Sequence, residues 1–473
     1  MNLEKRIAEL LRKVEQQSEI ISKLERRIAE VEAENRELRR RLNMYSGNSS
    51  KPPSSDSLFK RTERPSRKRK TKKKPGGQPG HTGYQLKKFA QVDYSIDHQV
   101  KHCPNCQSDA LALKDLRFRQ VADIPQPRLE ITEHRLYAYQ CKCCGSSVHS
   151  DLYNELKQEV QYGPRIKALV NYLNVYQLIP YKRLTALIED LYGHKISQGS
   201  ISNFNAALSD KLESFIEQLK RTLTQSVSIM HSDETGCMVS KTLHWLHVYS
   251  DKKRTLLQGH CNRGRQAMDH IGILNHAKGT VVHDRFTSYS GYEHIEHALC
   301  NAHLLRDLKS VENEELSWPG EIKNLLLRAK QYKENDDLPP KRAFRLQGKY
   351  EAILRKHRKH YQQIDKQLKL TQKGNLKRGP DHNLHRALWK YRNEILLFMH
   401  KEHVPFDNNQ AERDLRMFKV KMKISNQFKS LQWMNVHARI RSLISTAQKQ
   451  NNNILEHLML AHTNPLSVLH LAV

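Results

Sequence analysis

Three carboxylates stand out in this 473-residue chain because of where they sit. Asp233 follows the apolar run SVSIM, Asp284 follows TVVH, and Glu412 lies in DNNQAERDLRMFKVK. A carboxylate at the end of a buried strand is costly unless it meets a metal or a partner. Asp407 or Asn408 can cap a helix, which sets Glu412 about one turn inside it. Arg413, Arg416, Lys419 and Lys421 crowd the same helix and could hold phosphate beside that glutamate. Two strand-end aspartates and a helical glutamate suit a pair of Mg²⁺ or Mn²⁺ ions, which take oxygen ligands, keep waters and share phosphate oxygens. Two such ions activate a water and stabilise a leaving oxygen. With 50 acidic residues in the chain, ordinary salt-bridged acids are the alternative on this pattern alone. Glu234 and Asp414 are read as non-catalytic neighbours.

Four cysteines form two pairs, Cys103-Pro-Asn-Cys106 and Cys141-Lys-Cys-Cys144. Two intervening residues let both thiolates reach one tetrahedral ion, so the two pairs together predict one structural Zn²⁺. Cys143 is an alternative to Cys144, although CxxC geometry favours Cys141 and Cys144. A redox dithiol is the alternative for either pair alone. Cys300 and His303, with Cys237 or Cys261, raise a second metal site as a weaker idea. His231 and His283 lie close to the aspartates, for strand packing or for tuning the site.

The elements that must position these groups follow from periodicity. SVSIMHSDE, LHWLHVYSD, RTLLQGH, GTVVHDR and HIEHALC are short, apolar, β-biased runs, and residues 304–400 read as charged amphipathic helix. LRFRQVADI, PQPR and LEITEHRLYAYQ read as strand, turn, strand between the cysteine pairs. IPYKRLTALIEDLYGHKISQGSISNFNAAL reads as helix, glycine-centred turn, helix: either a helix-turn-helix or a plain helical hairpin of the core. At the N-terminus, Ile7, Val14, Ile21, Ile28, Asn35 and Leu42 alternate with Leu3, Leu10, Gln17, Leu24, Val31 and Leu38. That 3.5-residue period, with one polar asparagine, predicts a parallel coiled-coil homodimer, the alternative being an amphipathic helix lying on the main body.

Charge bounds the class of partner. Eighty basic against 50 acidic residues give a net charge of +30, which implies a polyanion, most often nucleic acid. Lys60–Lys74 carries ten basic residues and one acid, Glu63. Arg67, Lys68, Arg69, Lys70, Lys72, Lys73 and Lys74 are its densest part, read as a DNA-backbone arm as well as a linker. No membrane span or signal segment is expected, and the cysteine usage suits a reducing cytosol, which predicts a cytoplasmic, nucleoid-associated protein.

HSDETG, VVHDRFTSY, CNAHLLRDL and FDNNQAERDLR, in this order, resemble the large transposase of the insertion sequence 66 family. The resemblance runs on through SSKPPSSD, KPGGQPGHTG, the paired cysteines, YGPRIKALVNYLNVYQLIPYKRL and SLISTAQKQN. It implies an RNase H-like fold with a DDE triad at Asp233, Asp284 and Glu412, acting on the inverted-repeat ends of a mobile element, with small accessory proteins as partners. The family's glycine-containing stretch after the glutamate departs here to KMKISNQFKSLQWMN.

The expected architecture is therefore α+β and multidomain. It comprises a coiled coil (1–42), a basic linker (43–95), a zinc-binding β-rich module (96–155) and a helical DNA-binding region (156–222). An RNase H-like core (223–303 and 401–430) follows, with a helical insertion (304–400) and a C-terminal helical region (431–473). Its partners would be double-stranded DNA, both element ends and target, and a second copy of the chain. The expected activity is cleavage of a phosphodiester to free a 3′-OH, then attack of that hydroxyl on a target strand. The rivals are a non-catalytic zinc-ribbon and zipper DNA-binding regulator, and a recombinase with a serine or tyrosine nucleophile.

Overall fold

The structure is a computed structural model that describes residues 2–43, 86–150, 156, 158–312, 316–371, 374, 376 and 378–473. The basic block with Arg67, Lys68, Arg69, Lys70, Lys72, Lys73 and Lys74 lies outside those residues. The chain divides into two units, one of residues 1–64, 135–187 and 195–473, the other of residues 65–134 and 188–194. Among the described residues no helix is long and apolar enough to cross a membrane.

In the smaller unit, the described residues 86–134 form neither helix nor strand, and residues 188–192 are the end of a helix. Phe89 is clamped by one side chain: the Phe89 N–H donates to Gln120 Oε1 at 2.8 Å and Gln120 Nε2 donates to the Phe89 carbonyl at 3.0 Å.

In the larger unit α1 (Asn2–Asn43) is one helix. Ile7, Val14, Ile21, Leu24 and Ile28 are each more than half exposed, so its apolar stripe is open. Strands β1 (Ala138–Gln140) and β2 (Ser147–His149) pair antiparallel around the second cysteine pair. The expected β-rich module is thereby corrected: residues 116–137 form no strand. Their alternating side chains find no second layer to cover them, Val121, Ile124 and Ile131 all being more than four-fifths exposed, and alternation without a face to bury does not hold a strand.

α2 (Pro164–Asn171) leads to α3 (Tyr181–Tyr192) and α4 (Gln198–Lys211). Gly193 takes φ +64° in the turn between the last two, and Ser197 caps α4 by accepting from the Ser200 N–H. α4 buries Ile201, Phe204 and Leu208, as a core hairpin does. α5 (Glu213–Gln225) then packs Phe215, Leu219 and Leu223 under the sheet with Met230 and Val281.

All five apolar runs are strands: β3 (Ile229–Val239), β4 (Thr242–Ser250), β5 (Thr255–His260), β6 (Thr280–His283) and β7 (Glu296–Leu299). They form a five-stranded sheet of order β5-β4-β3-β6-β7. The β3–β4 and β4–β5 pairs are antiparallel, whereas β3–β6 and β6–β7 are parallel. The antiparallel half uses tight turns, and a parallel step needs a crossover; α6 (Arg265–Ile271) supplies it between β5 and β6.

After β7 come α7 (Asn301–Val311), α8 (Trp318–Glu334), α9 (Pro340–Thr371), α10 (Pro380–Lys390) and α11 (Arg392–His400). They share a core centred on Trp318, Ile322, Leu326, Tyr350, Leu388 and Ile395. Lys333 Nζ closes this insertion by donating to the carbonyls of Phe398, Lys401 and Val404 at 2.6, 2.9 and 2.7 Å.

The chain returns to the sheet as α12 (Asn409–Ser425), whose Ala411, Leu415 and Phe418 pack on Cys237, Val239, Leu246 and Val248. α13 (Leu431–Lys449) covers the β5 edge. Its Thr446, Ser442 and Asn435 side chains accept from the N–H groups of Thr255, Leu257 and Gly259 at 3.1, 2.9 and 2.7 Å. Every second amide of the edge is satisfied from the helix, which blocks pairing with another strand. α14 (Ile454–Thr463) completes the main core.

Candidate active site and cysteine knuckles

Asp233 sits on β3 and Asp284 directly after β6. The parallel register pairs His231 with Val282, and two further residues along each strand bring Asp233 level with Asp284. Successive strand residues face opposite sides. Asp233 shares its face with Cys237 and Val239, the side on which α12 packs, while Glu234 and Ser232 face the other way toward Tyr289.

The site is short of positive charge. Burial first, then the Glu234 and Asp284 charges, push the Asp233 carboxyl up to about 8. Burial and Asp284 push Glu234 up to about 7, partly offset by Arg263. Asp233, Glu234 and Asp284 thus form an acidic cluster that a divalent cation would relieve, and the donor chemistry is all oxygen. Among the described residues no three His, Cys, Asp or Glu side chains are gathered closely enough to hold one ion by themselves. Glu412, in the first turn of α12, leans instead toward Arg306 Nη2 at 3.7 Å and His303 Nε2 at 3.8 Å. Burial and Arg306 hold His303 low, while Glu412 and Asp284 both pull it up, so one imidazole feels both acids.

Two residues that spacing does not reveal hold this arrangement. Arg263, on the loop after β5, binds Glu234 Oε1 at 2.8 Å and lies 3.8 Å from Asp284 Oδ2. Its guanidinium is held over the rings of Phe286 and Trp245 at 4.1 and 4.9 Å. Asn408 precedes α12 but makes no side-chain cap. Its Oδ1 meets His231 Nδ1 at 2.8 Å, its Nδ2 donates to the Ser232 carbonyl at 2.8 Å, and its N–H donates to Cys300 Sγ at 3.1 Å. Asn408 therefore pins the start of the Glu412 helix to the strand that carries Asp233. Glu234 is likewise no bystander: it is buried, accepts from Tyr289 at 2.9 Å and anchors Arg263.

His283 is buried, stacks on Tyr289 at 4.2 Å and meets His297 Nδ1 at 2.9 Å, which is a packing role. Cys300 immediately precedes α7 without a side-chain cap and lies 3.3 Å from His303 Nδ1, at the junction of β7 and that helix. Arg413, Arg416 and Lys419 are exposed on α12, and the Lys419 charge acts on Asp233. In the stretch where the family carries a glycine, Asn426 takes φ +57° and ψ −43°, outside the left-handed helical region and a conformation that suits glycine better than asparagine.

The two cysteine pairs fold alike. In the first, the Cys103 N–H donates to the Ser108 carbonyl and the Gln107 N–H to the Cys103 carbonyl, at 2.8 and 2.9 Å. In the second, the Cys141 N–H donates to the Ser146 carbonyl and the Gly145 N–H to the Cys141 carbonyl, both at 2.9 Å. Gln107 and Gly145 both take positive φ, at 60° and 72°. Such turns aim two thiolates at one point, and hydrogen bonds from Ser146 lower the Cys144 thiol to about 7.

The zinc-finger binding domain of transposase IS66 matches residues 101–145, which supports zinc binding by this segment, and a family of unknown function matches residues 2–87. No curated protein matches significantly. A chain in the cryo-electron-microscopy structure of the simian T-cell lymphotropic virus intasome in complex with PP2A regulatory subunit B56 gamma is 13% identical, with a TM-score of 0.14. That match covers 37% of this chain and 64% of the other, less than two thirds of its length, and so low a TM-score establishes no common fold. The Transposase IS66 family matches residues 159–435, more than half of the chain and the whole of the sheet, the insertion and α12. This protein belongs to the IS66 family of transposases.

Proposed function

We propose that this transposase is a DDE enzyme with an RNase H-like core, cutting and joining DNA at the inverted-repeat ends of its element. The observation that carries the reading is the crowding of Asp233, within β3, against Asp284, just past the end of the parallel neighbour β6, with Glu412 on the helix over the same face. Asp233, Asp284 and Glu412 would hold two Mg²⁺ or Mn²⁺ ions, which when bound activate water and stabilise a leaving oxygen. Arg263 steadies the acids, and Arg413, Arg416 and Lys419 hold the DNA backbone. The freed 3′-OH attacks the target strand in line, without a covalent protein–DNA intermediate. The direct experiment is strand cleavage and transfer on duplexes copied from the DNA flanking the reading frame. Activity should require Mg²⁺ or Mn²⁺ and be lost in Glu412→Gln with DNA binding kept. Full activity in Glu412→Gln, or activity under chelator, would hand the case to a DNA-binding regulator.

The cysteine knuckles are proposed to share one structural Zn²⁺ through Cys103, Cys106, Cys141 and Cys144. Elemental analysis should find about one equivalent per chain, with Cys103→Ser losing it and the segment's protease resistance together. Metal-free protein prepared anaerobically would refute this.

The open stripe of α1 is proposed to pair with the same stripe of a second copy, Asn35 setting the register of a parallel dimer. Removing residues 2–43 should halve the mass measured by light scattering; an unchanged mass excludes the zipper. The α3–α4 pair and the basic block at Lys60–Lys74 are proposed as further DNA contacts, the latter without sequence preference.

A further inference from the structure

Between the helical region and the far end of α12 lies a cavity of about 410 Å³, within the size range of small-ligand sites. Its wall brings together Tyr181, Trp433, Asn205, Gln427, Lys421 and Lys429, and none of the residues lining it is acidic. We propose that this cavity receives one unstacked nucleobase of the DNA substrate, with the adjoining phosphate held by Lys421 and Lys429. The inference rests on the DNA-processing role proposed above.

Four observations carry it. First, the chemistry is that of base recognition: flat aromatic faces, amides and hydroxyls for base edges, and cations at the rim. Second, the polar wall is preset. Asn171 Nδ2 donates to Asn205 Oδ1 at 2.8 Å, and Asn205 Nδ2 donates to Asn174 Oδ1 at 2.9 Å and to the Tyr181 hydroxyl at 3.3 Å. Such a chain of bonds fixes the orientation of each amide before a ligand arrives.

Third, positive and polar groups here lack partners. His437 lines the cavity at 7% exposure with its Nε2 unsatisfied. One helical turn away and outside the cavity lining, Arg441 is 4% exposed with Nε and Nη1 unsatisfied, its guanidinium over the Tyr176 ring at 5.4 Å. Buried polar atoms without partners are rare, and these lie directly behind the cavity wall. Burial also lowers Lys421, and no carboxylate offsets it. A phosphate would oppose that shift.

Fourth, the spacing fits. Lys421 stands nine residues after Glu412 on the same helix, about 13 Å at a rise of 1.5 Å per residue. That is about four nucleotide steps from the proposed site of cutting, at 3.4 Å each. Arg413, Arg416 and Lys419 lie between, exposed. A strand following that helix would deliver a base to the cavity mouth and a phosphodiester to the acids together.

The test places photoreactive 5-iododeoxyuridine at each position in turn along duplexes copied from the flanking DNA, on the full-length protein without added metal. One position, or two adjacent ones, should crosslink to a peptide containing Tyr181 or Trp433. In Trp433→Leu that yield should fall roughly tenfold, with crosslinks at other positions kept, and Trp433→Phe should restore it. Retention of the wild-type melting temperature shows that the leucine variant folds, and Lys421→Met, which leaves the stacking faces untouched, should weaken DNA binding by a similar factor. DNA binding with crosslinks only outside the cavity, or a yield indifferent to Trp433→Leu, overturns the proposal. Absence of any DNA binding by the wild type would instead overturn the functional reading beneath it.

Discussion

Asp233→Asn should abolish DNA cleavage and joining while making the protein more stable. The loss follows from removing an anionic ligand; a misplaced metal costs on the order of a hundredfold or more in rate. The gain follows from the charge balance at the site. Burial, Glu234 and Asp284 raise Asp233 to about 8 in the folded chain, against about 3.9 in an unfolded one. A folded-state value above the unfolded one means that this carboxyl adds no penalty below about pH 4, and that stability is lost progressively as pH rises toward about 8. Asparagine has no charge to bury, so its advantage should be absent near pH 4 and full near pH 9. For a half-buried group reached by water, a gain on the order of 2 kcal/mol is expected, which lifts the melting temperature by several degrees. Mg²⁺ should narrow the difference, stabilising the wild type and not the variant. Equal melting temperatures at pH 9, or an active variant, would contradict this account of the acids.

The second large effect lies outside the chemistry. Asp414→Ala should destabilise the fold by about 3 kcal/mol. Lys449 Nζ lies 2.8 Å from Asp414 Oδ2, with the two side chains only 12% and 7% exposed. The same ammonium donates to the carbonyls of Asp251 and Arg254, both at 2.9 Å, tying α12, α13 and the β4–β5 turn at one point. Burial already lowers Lys449 and Asp414 opposes that shift. Without the carboxylate a buried cation is stranded. Replacing both groups, as in Asp414→Leu with Lys449→Met, should recover much of the loss, because well-packed apolar residues often match a buried pair. Urea midpoints measure both; a single variant as stable as the wild type would show the pair to be ornamental. Asp414 is therefore a poor choice as a silent neighbour of Glu412, and Glu234 is a poor one for Asp233.

Local pattern carries part of this far and then stops. The five strand runs, the helical insertion and the strand-end position of Asp284 are legible because period and apolar content are local properties; Asp233 was expected at a strand end and lies instead within β3, which runs on to Val239. The strand order is not legible, since it depends on which strands meet after a crossover. Arg263 and Asn408 were missed for the same reason. Asn408 acts on His231 and Ser232 from 177 and 176 residues away, and nothing in its own neighbourhood distinguishes it from a helix cap. Residues 116–137 show the converse error, where alternation is clear and no layer exists to reward it.

The insertion also sets a clock. Glu412 follows Asp284 by 128 positions, with all of α7 to α11 between them. At a synthesis rate of about 5–20 residues per second that interval is roughly ten seconds. Throughout it a growing chain displays its cysteine knuckles and both aspartates, but not the glutamate that completes the proposed ligand set. The insertion is also fastened just ahead of α12, Asn301 and Lys333 tying the start of α7 and α8 to residues 395–406. Under the proposed reading, a copy truncated before α12 would hold DNA without cutting it, because one carboxylate of the ligand set is still missing.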